Sequence, residues 1–227
     1  MKAIYYGHST VGLNLNDSEV LFDPFITPNR LAEHIELGTL KPDYIFISHC
    51  HEDHVADLVE VQRNGNSQVV SIVEAADWIK EQGISTDRVI GMNFGGTILT
   101  DFGSAKMVFA LHTNSTPDGG YAGVAAGYVL KSGGKSIYFA GDTALTLEMQ
   151  LLADQNLDWA FLPVGGFFTM DVEDAVKAAK FINCKNIIGI HYNTFPPIEI
   201  NTKEAIAKFR EAGLNLHLLQ IGEKISL

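Results

Sequence analysis

Short apolar runs bounded by turn residues recur from end to end of the chain. Residues 2–6, 10–15 and 18–22 read as strands, with turn-prone Asn16-Asp17 between the second and third. Residues 28–37 predict a helix, since Pro28 stands near its start and Gly38 just past its end. The run Tyr44-Ile45-Phe46-Ile47 predicts a buried strand at 44–47. A helix at 55–64, closed by Asn64-Gly65, a strand at 68–72 and a helix at 73–82 follow. Strands are expected at 89–91, 96–101 and 105–111, then a hairpin of 125–131 and 136–140 around Ser132-Gly133-Gly134. The remainder reads as helix 145–153, strand 158–162, helix 172–182 after Asp171, strand 186–190, helix 202–212 and strands 215–219 and 223–226.

The recurring unit is a strand, a polar residue at its carboxyl end, then a helix. Mixed strands and helices without a break predict an α/β fold, with one domain over residues 1–227. In such folds the ligand crevice lies where carboxyl ends of strands converge.

Composition narrows the class. The 227 residues are 46% hydrophobic, enough for a sizeable core, and 21 glycines supply turn pairs such as Gly95-Gly96 and Gly165-Gly166. The formal net charge is -11, which repels phosphate backbones and argues against a nucleic-acid partner. Arg30, Arg63, Arg88 and Arg210, the only arginines, are scattered. The amino terminus carries no signal-like segment, and no stretch approaches the ~18 apolar residues of a membrane span. Two distant cysteines, Cys50 and Cys184, form no disulfide framework. The chain reads as soluble and cytoplasmic, acting on a small molecule.

The chemistry concentrates at Ser48-His49-Cys50-His51-Glu52-Asp53-His54. Within it His49, His51, Asp53 and His54 are metal-capable, and they directly follow the strand at 44–47. A structural zinc site would usually recruit thiolates, and no CxxC pair exists here. Imidazole with carboxylate suits Zn, Mn, Fe or Ni better than Ca or Mg. Three more metal-capable residues, His112, Asp142 and His191, each follow an apolar strand. A single histidine in such a place is more often structural; the joint placement of all three with the cluster argues for a common site.

His49-Cys50-His51-Glu52-Asp53-His54 resembles the His-x-His-x-Asp-His motif of the metallo-β-lactamase superfamily, and His112, Asp142 and His191 are similar in order and spacing to its later ligands. Gly7-His8-Ser9, Ala140-Gly141-Asp142-Thr143 and His191-Tyr192-Asn193-Thr194-Phe195-Pro196 resemble a small branch of metal-dependent hydrolases. That branch is similar to ascorbate-6-phosphate lactonases and, more remotely, to N-acyl-phosphatidylethanolamine phospholipases. The resemblance implies an αββα sandwich of two mixed sheets flanked by helices. It implies two divalent ions, Zn first with Mn, Ni or Fe as alternatives. His49, His51 and His112 would hold one, Asp53, His54 and His191 the other, and Asp142 would bridge them. Three protein ligands per ion leave room for water, and two ions ~3.5–4 Å apart can share a hydroxide that attacks an ester, lactone or phosphodiester. Asp53 would double as proton acceptor. His8 is assigned to the catalytic set, contacting a ligand carboxylate or the substrate, against an equal reading as a core histidine.

Other residues are read more plainly. Cys50 packs rather than ligates, and Glu52 faces solvent. His34 and His217 stand outside the constellation. Tyr192, Asn193, Asn114-Ser115 and Phe167-Phe168-Thr169 either line the pocket or serve as turns, and Thr143 is expected to hydrogen-bond near Asp142. His51 stands where diiron flavoproteins of this superfamily carry Glu, and no residues remain for a flavin domain. A small-nucleotide phosphodiesterase or nuclease, and a non-catalytic metal-dependent binding or regulatory protein, are the alternatives. Relatives often assemble, so a homo-oligomer is allowed for.

Overall fold

The computed structural model describes residues 1–227. The first half forms β1 (Lys2–Gly7), β2 (Thr10–Leu15), β3 (Ser18–Phe22), β4 (Tyr44–Phe46), β5 (Gln68–Ile72) and β6 (Val89–Met92). The second forms β7 (Thr97–Thr100), β8 (Gly103–Phe109), β9 (Ala126–Ser132), β10 (Lys135–Phe139), β11 (Trp159–Pro163), β12 (Asn186–Ile190) and β13 (Asn215–His217). The last strand, β14 (Lys224–Ser226), returns to pair antiparallel with β1. Two seven-stranded sheets result, ordered β14-β1-β2-β3-β4-β5-β6 and β13-β12-β11-β10-β9-β8-β7.

Both sheets follow one plan. Antiparallel hairpins, β1-β2-β3 and β7-β8-β9-β10, give way to parallel runs, β3-β4-β5-β6 and β10-β11-β12-β13. Two antiparallel steps make β1 parallel to β3 and β8 parallel to β10. The carboxyl ends of β1, β3 and β4 therefore share one end of the first sheet, and those of β8, β10, β11 and β12 one end of the second.

Helices α1 (Glu52–Val55), α2 (Leu58–Gly65), α3 (Val73–Glu81), α4 (Val172–Phe181) and α5 (Thr202–Glu211) complete the fold. Helix α3 covers β5 and β6, α4 packs on β11, and α5 packs on β13. Helix α4 starts where the Asp171 carboxylate accepts the Asp174 N–H at 2.8 Å, and α5 where Asn201 accepts from Glu204. The sheets face each other across an aromatic seam: Phe22 stacks on Phe139 at 4.1 Å between ring centroids, and Phe46 meets Tyr128 edge-on at 5.0 Å. No helix is long and apolar enough to cross a membrane. The architecture is the expected αββα sandwich.

Three helices differ from expectation. Residues 28–37 hold only a 3-10 turn at Arg30–Ala32, and a second lies at Leu37–Thr39. The Asn29 side chain accepts the Leu31 N–H and closes a local turn, and Glu36 is already extended. In place of the helix at 145–153 stands a 3-10 helix, Leu147–Gln155, which starts after extended Thr146 and stops at left-handed Asn156. The helix expected at 55–64 is two pieces. Helix α1 begins inside the histidine cluster, and the chain breaks at Asp57, whose carboxylate accepts the Ile26 and Thr27 N–H groups.

Candidate metal centre

The site is assembled at the carboxyl ends identified above. Asp23 follows β3, His49 lies three residues beyond β4, His112 three beyond β8, Asp142 three beyond β10 and His191 directly after β12. His51 caps α1, whose single turn presents Asp53 and His54. Gly141 makes the approach possible. Its φ is +60°, and a Cβ there would meet the Ser48 Cβ at 2.6 Å, so the strand carrying Asp142 closes onto the histidine cluster. Gly165 has the same role beside His191, whose carbonyl oxygen leaves no room for a Cβ.

All seven predicted side chains come together. The donor atoms of His49, His51 and His112 lie within 4.8 Å of one another, as do those of His8, Asp53, His54 and His191. Between the groups stands Asp142, whose Oδ2 is 3.0 Å from His191 Nε2, 3.5 Å from His54 Nε2, 3.6 Å from His112 Nε2 and 4.0 Å from His49 Nε2.

Two residues that sequence reasoning passed over set the ring orientations. Asp23, fully buried, accepts the Ser48 N–H at 2.7 Å, the Ser48 hydroxyl at 2.6 Å and His54 Nδ1 at 2.9 Å. With its proton given to Asp23, the Ser48 hydroxyl is left to accept from His49 Nδ1 at 2.9 Å. One carboxylate therefore makes Nδ1 the inward-held donor of His54 and, through Ser48, of His49, which turns both Nε2 atoms toward the centre. Asp23 follows an apolar strand, and the rule that singled out His112, Asp142 and His191 applies to it equally.

His8 is buried, with Nε2 3.1 Å from Asp53 Oδ2 and Nδ1 3.0 Å from Thr194 Oγ1. Burial first, then His191, lowers its pKa to about 4, so the ring is neutral near pH 7. The ionised Asp53 can only accept, so Nε2 carries the proton and Nδ1 accepts from Thr194. Asn114 accepts the Cys50 N–H at 2.8 Å and pins the backbone between His49 and His51. Cys50 is fully buried and Glu52 is exposed. Tyr192 does not line the pocket: its ring stacks on Tyr5, and its hydroxyl donates to the Leu219 carbonyl. Asn193 is a turn residue whose Oδ1 accepts the Ile200 N–H. His34 bonds the Ile221 carbonyl and His217 packs on Trp159, both away from the centre.

The donor set fits divalent ions. Three carboxylates converge in a buried place with no lysine or arginine nitrogen within 4.0 Å of them; all their ion pairs are with histidines. Burial alone would lower the His54 pKa, but Asp142, Asp23 and Asp53 overcome it and raise it well above the usual range, so the cluster demands positive charge. Buried His54 Nε2 and Asp142 Oδ1 have no hydrogen-bond partner, the condition of ligand atoms rather than of a satisfied core.

The profile of the beta-lactamase superfamily domain matches residues 18–192. A UPF0173 metal-dependent hydrolase of Flavobacterium johnsoniae is 45% identical over 228 residues, covering 100% of both chains. One from Thermus thermophilus is 41% identical, covering 98% of this chain and 97% of its own. Among solved structures, Igni18, described as a novel metallo hydrolase from the hyperthermophilic archaeon Ignicoccus hospitalis, superposes with a TM-score of 0.88 at 33% identity, covering 99% of this chain and 97% of its own. With its two-sheet fold and its histidine–carboxylate centre, the chain belongs to the metallo-β-lactamase superfamily, among the metal-dependent hydrolases.

Proposed function

We propose that this hydrolase holds two divalent cations, one at His49, His51 and His112, the other at Asp53, His54 and His191, with Asp142 shared, and cleaves an ester, lactone or phosphodiester bond of a small substrate. The observation that carries the reading is two donor groups, one of three residues and one of four with His8, on either side of one buried carboxylate. Imidazoles and carboxylates without thiolate favour Zn, with Mn, Ni or Fe as alternatives. When bound, such ions bring the pKa of water toward ~7 and polarise the oxygen of the bond under attack.

The protein's own groups supply orientation and a proton acceptor. Asp53 is the open carboxylate of the centre, its side chain 30% exposed against 3% for Asp142. Burial pushes its pKa up, but His54 and His8 override this and keep it ionised, so it meets substrate as an acceptor. His8 acts through Asp53 as a positioning residue: its Nε2–H fixes Oδ2 and leaves Oδ1 to the centre. Asp23 and Ser48 hold the rings before any ligand arrives, which removes reorganisation from the reaction.

A panel of lactones, carboxylic esters and phosphodiesters assayed with Zn or Mn tests the reading. Turnover by the native chain and its loss in His51→Ala are expected. Metal bound without turnover of any class would give way to the binding-protein alternative.

A further inference from the structure

We propose that Phe167, Phe168 and Leu111 form an apolar subsite at the rim of the metal centre, so that the substrate is an ester or lactone whose acyl portion is apolar. The proposal rests on the hydrolase reading above and narrows it.

Phe167 is the chain's conformational exception. Ten non-glycine residues have positive φ; nine are Asn, Asp or His, and the tenth is Phe167 at +60°. The first nine belong to the types that tolerate this region, whereas a bulky aromatic there is a true outlier. The Phe168 N–H reaches back to the Gly166 carbonyl at 2.6 Å and closes a three-residue turn around it, in the strained hand for such a turn. The strain is not offset by burial: Phe167 is 78% exposed and Phe168 51%, their rings edge-to-face at 4.7 Å. Two phenyl groups are thus held in water by a backbone that glycine would fit better. Strain and exposure together at one residue point to a ligand rather than to folding.

The turn is tied to the metal centre on both sides. Before it, Gly165 abuts the His191 carbonyl. After it, the Met170 N–H donates to the Thr143 carbonyl at 3.0 Å, one residue beyond Asp142. The Thr143 hydroxyl oxygen also accepts the Leu111 N–H at 3.0 Å, and the Leu111 side chain, next to His112, is 49% exposed. Thr143 thus ties together two loops, one carrying exposed Leu111 next to His112, the other exposed Phe167 and Phe168. No lysine or arginine nitrogen lies within 4.0 Å of the site carboxylates, and the chain's net charge is -11, which favours an uncharged apolar group over a phosphorylated one.

The test compares p-nitrophenyl acetate with p-nitrophenyl octanoate on the zinc-loaded full chain. The expected result is a kcat/KM ratio favouring octanoate, which falls about tenfold in the Phe167→Ala/Phe168→Ala double variant and is retained in Phe168→Leu. An unchanged ratio in the double variant overturns the subsite, including the case in which that variant passes from dimer to monomer by sedimentation, since the phenyl groups would then cover a second copy. Should the native chain cleave neither ester, the ester arm of the hydrolase reading is what loses support. Calorimetric titration with octanoate then decides the subsite alone: affinity weakened in the double variant supports it, and equal affinity overturns it.

Discussion

Asp23 accepts the Nδ1 proton of His54 across 2.9 Å and so decides which nitrogen of that ring faces the centre. Removing an outer partner of this kind typically costs 10–100-fold in metal affinity. Asp23→Asn keeps the shape but loses the charge and one acceptor, and should weaken zinc binding by about that factor. Competition with a chromophoric chelator measures it, with circular dichroism to confirm the fold. Native affinity in Asp23→Asn would remove Asp23 from the account.

The two donor groups predict distinct metal contents. His51→Ala should retain about one of two equivalents, because it breaks only one group, whereas Asp142→Asn should disturb both. Elemental analysis of the purified variants reads this directly. Turnover should fall more than about a hundredfold in each. One equivalent in the native chain would contradict the two-ion assignment.

Removing metal should cost stability. A ligand at ~1,000 times its Kd contributes about 4 kcal/mol, equivalent to roughly 10 °C in Tm for a chain of this size. Calorimetry before and after chelation, then after zinc is restored, should show a drop and a recovery of that order.

Phe22 stacks on Phe139 where the two sheets meet, and both are fully buried. Phe22→Ala should destabilise by about 3–5 kcal/mol through lost burial and a cavity. Urea unfolding measures it; a change below ~1 kcal/mol would mean that the seam is not what joins the sheets.

Burial pushes the Cys184 thiol up to about 11, and Cys50 is fully buried. At pH 8 roughly one Cys184 thiol in a thousand is thiolate. A disulfide reagent should therefore titrate neither cysteine in the native chain and both after unfolding. Rapid modification of one thiol in the folded protein would show that it is accessible.

The parallel strands were legible because both faces are covered, which makes them unbroken apolar runs such as Tyr44-Ile45-Phe46 and Ile187-Ile188. Six of the seven convergent side chains follow strands with a parallel partner, β4, β10 or β12, and His112 follows the antiparallel β8. The segment at 28–37 was not legible, because one hydrogen bond from the Leu31 N–H to the Asn29 side chain outcompetes helical periodicity. The role of Asp23 depends on His54, 31 positions away, and that of His8 on Asp53, 45 positions away. The strand-end rule marks Asp23 and the family resemblance marks His8, but neither names the partner. The left-handed backbone of Phe167 was equally invisible, since aromatic residues seldom adopt it.

Each donor group draws on both sheets. His49 and His51 come from the first and His112 from the second; Asp53 and His54 come from the first and His191 from the second. A cation bound in either group is therefore a clasp between two halves of similar plan. Neither sheet alone presents either proposed set in full, so a chain cut between them should reach native metal affinity only after the pieces reassociate. Affinity for the ion and cohesion between the sheets are then one quantity, and whatever loosens the seam at Phe22 and Phe139 also loosens the grip on metal.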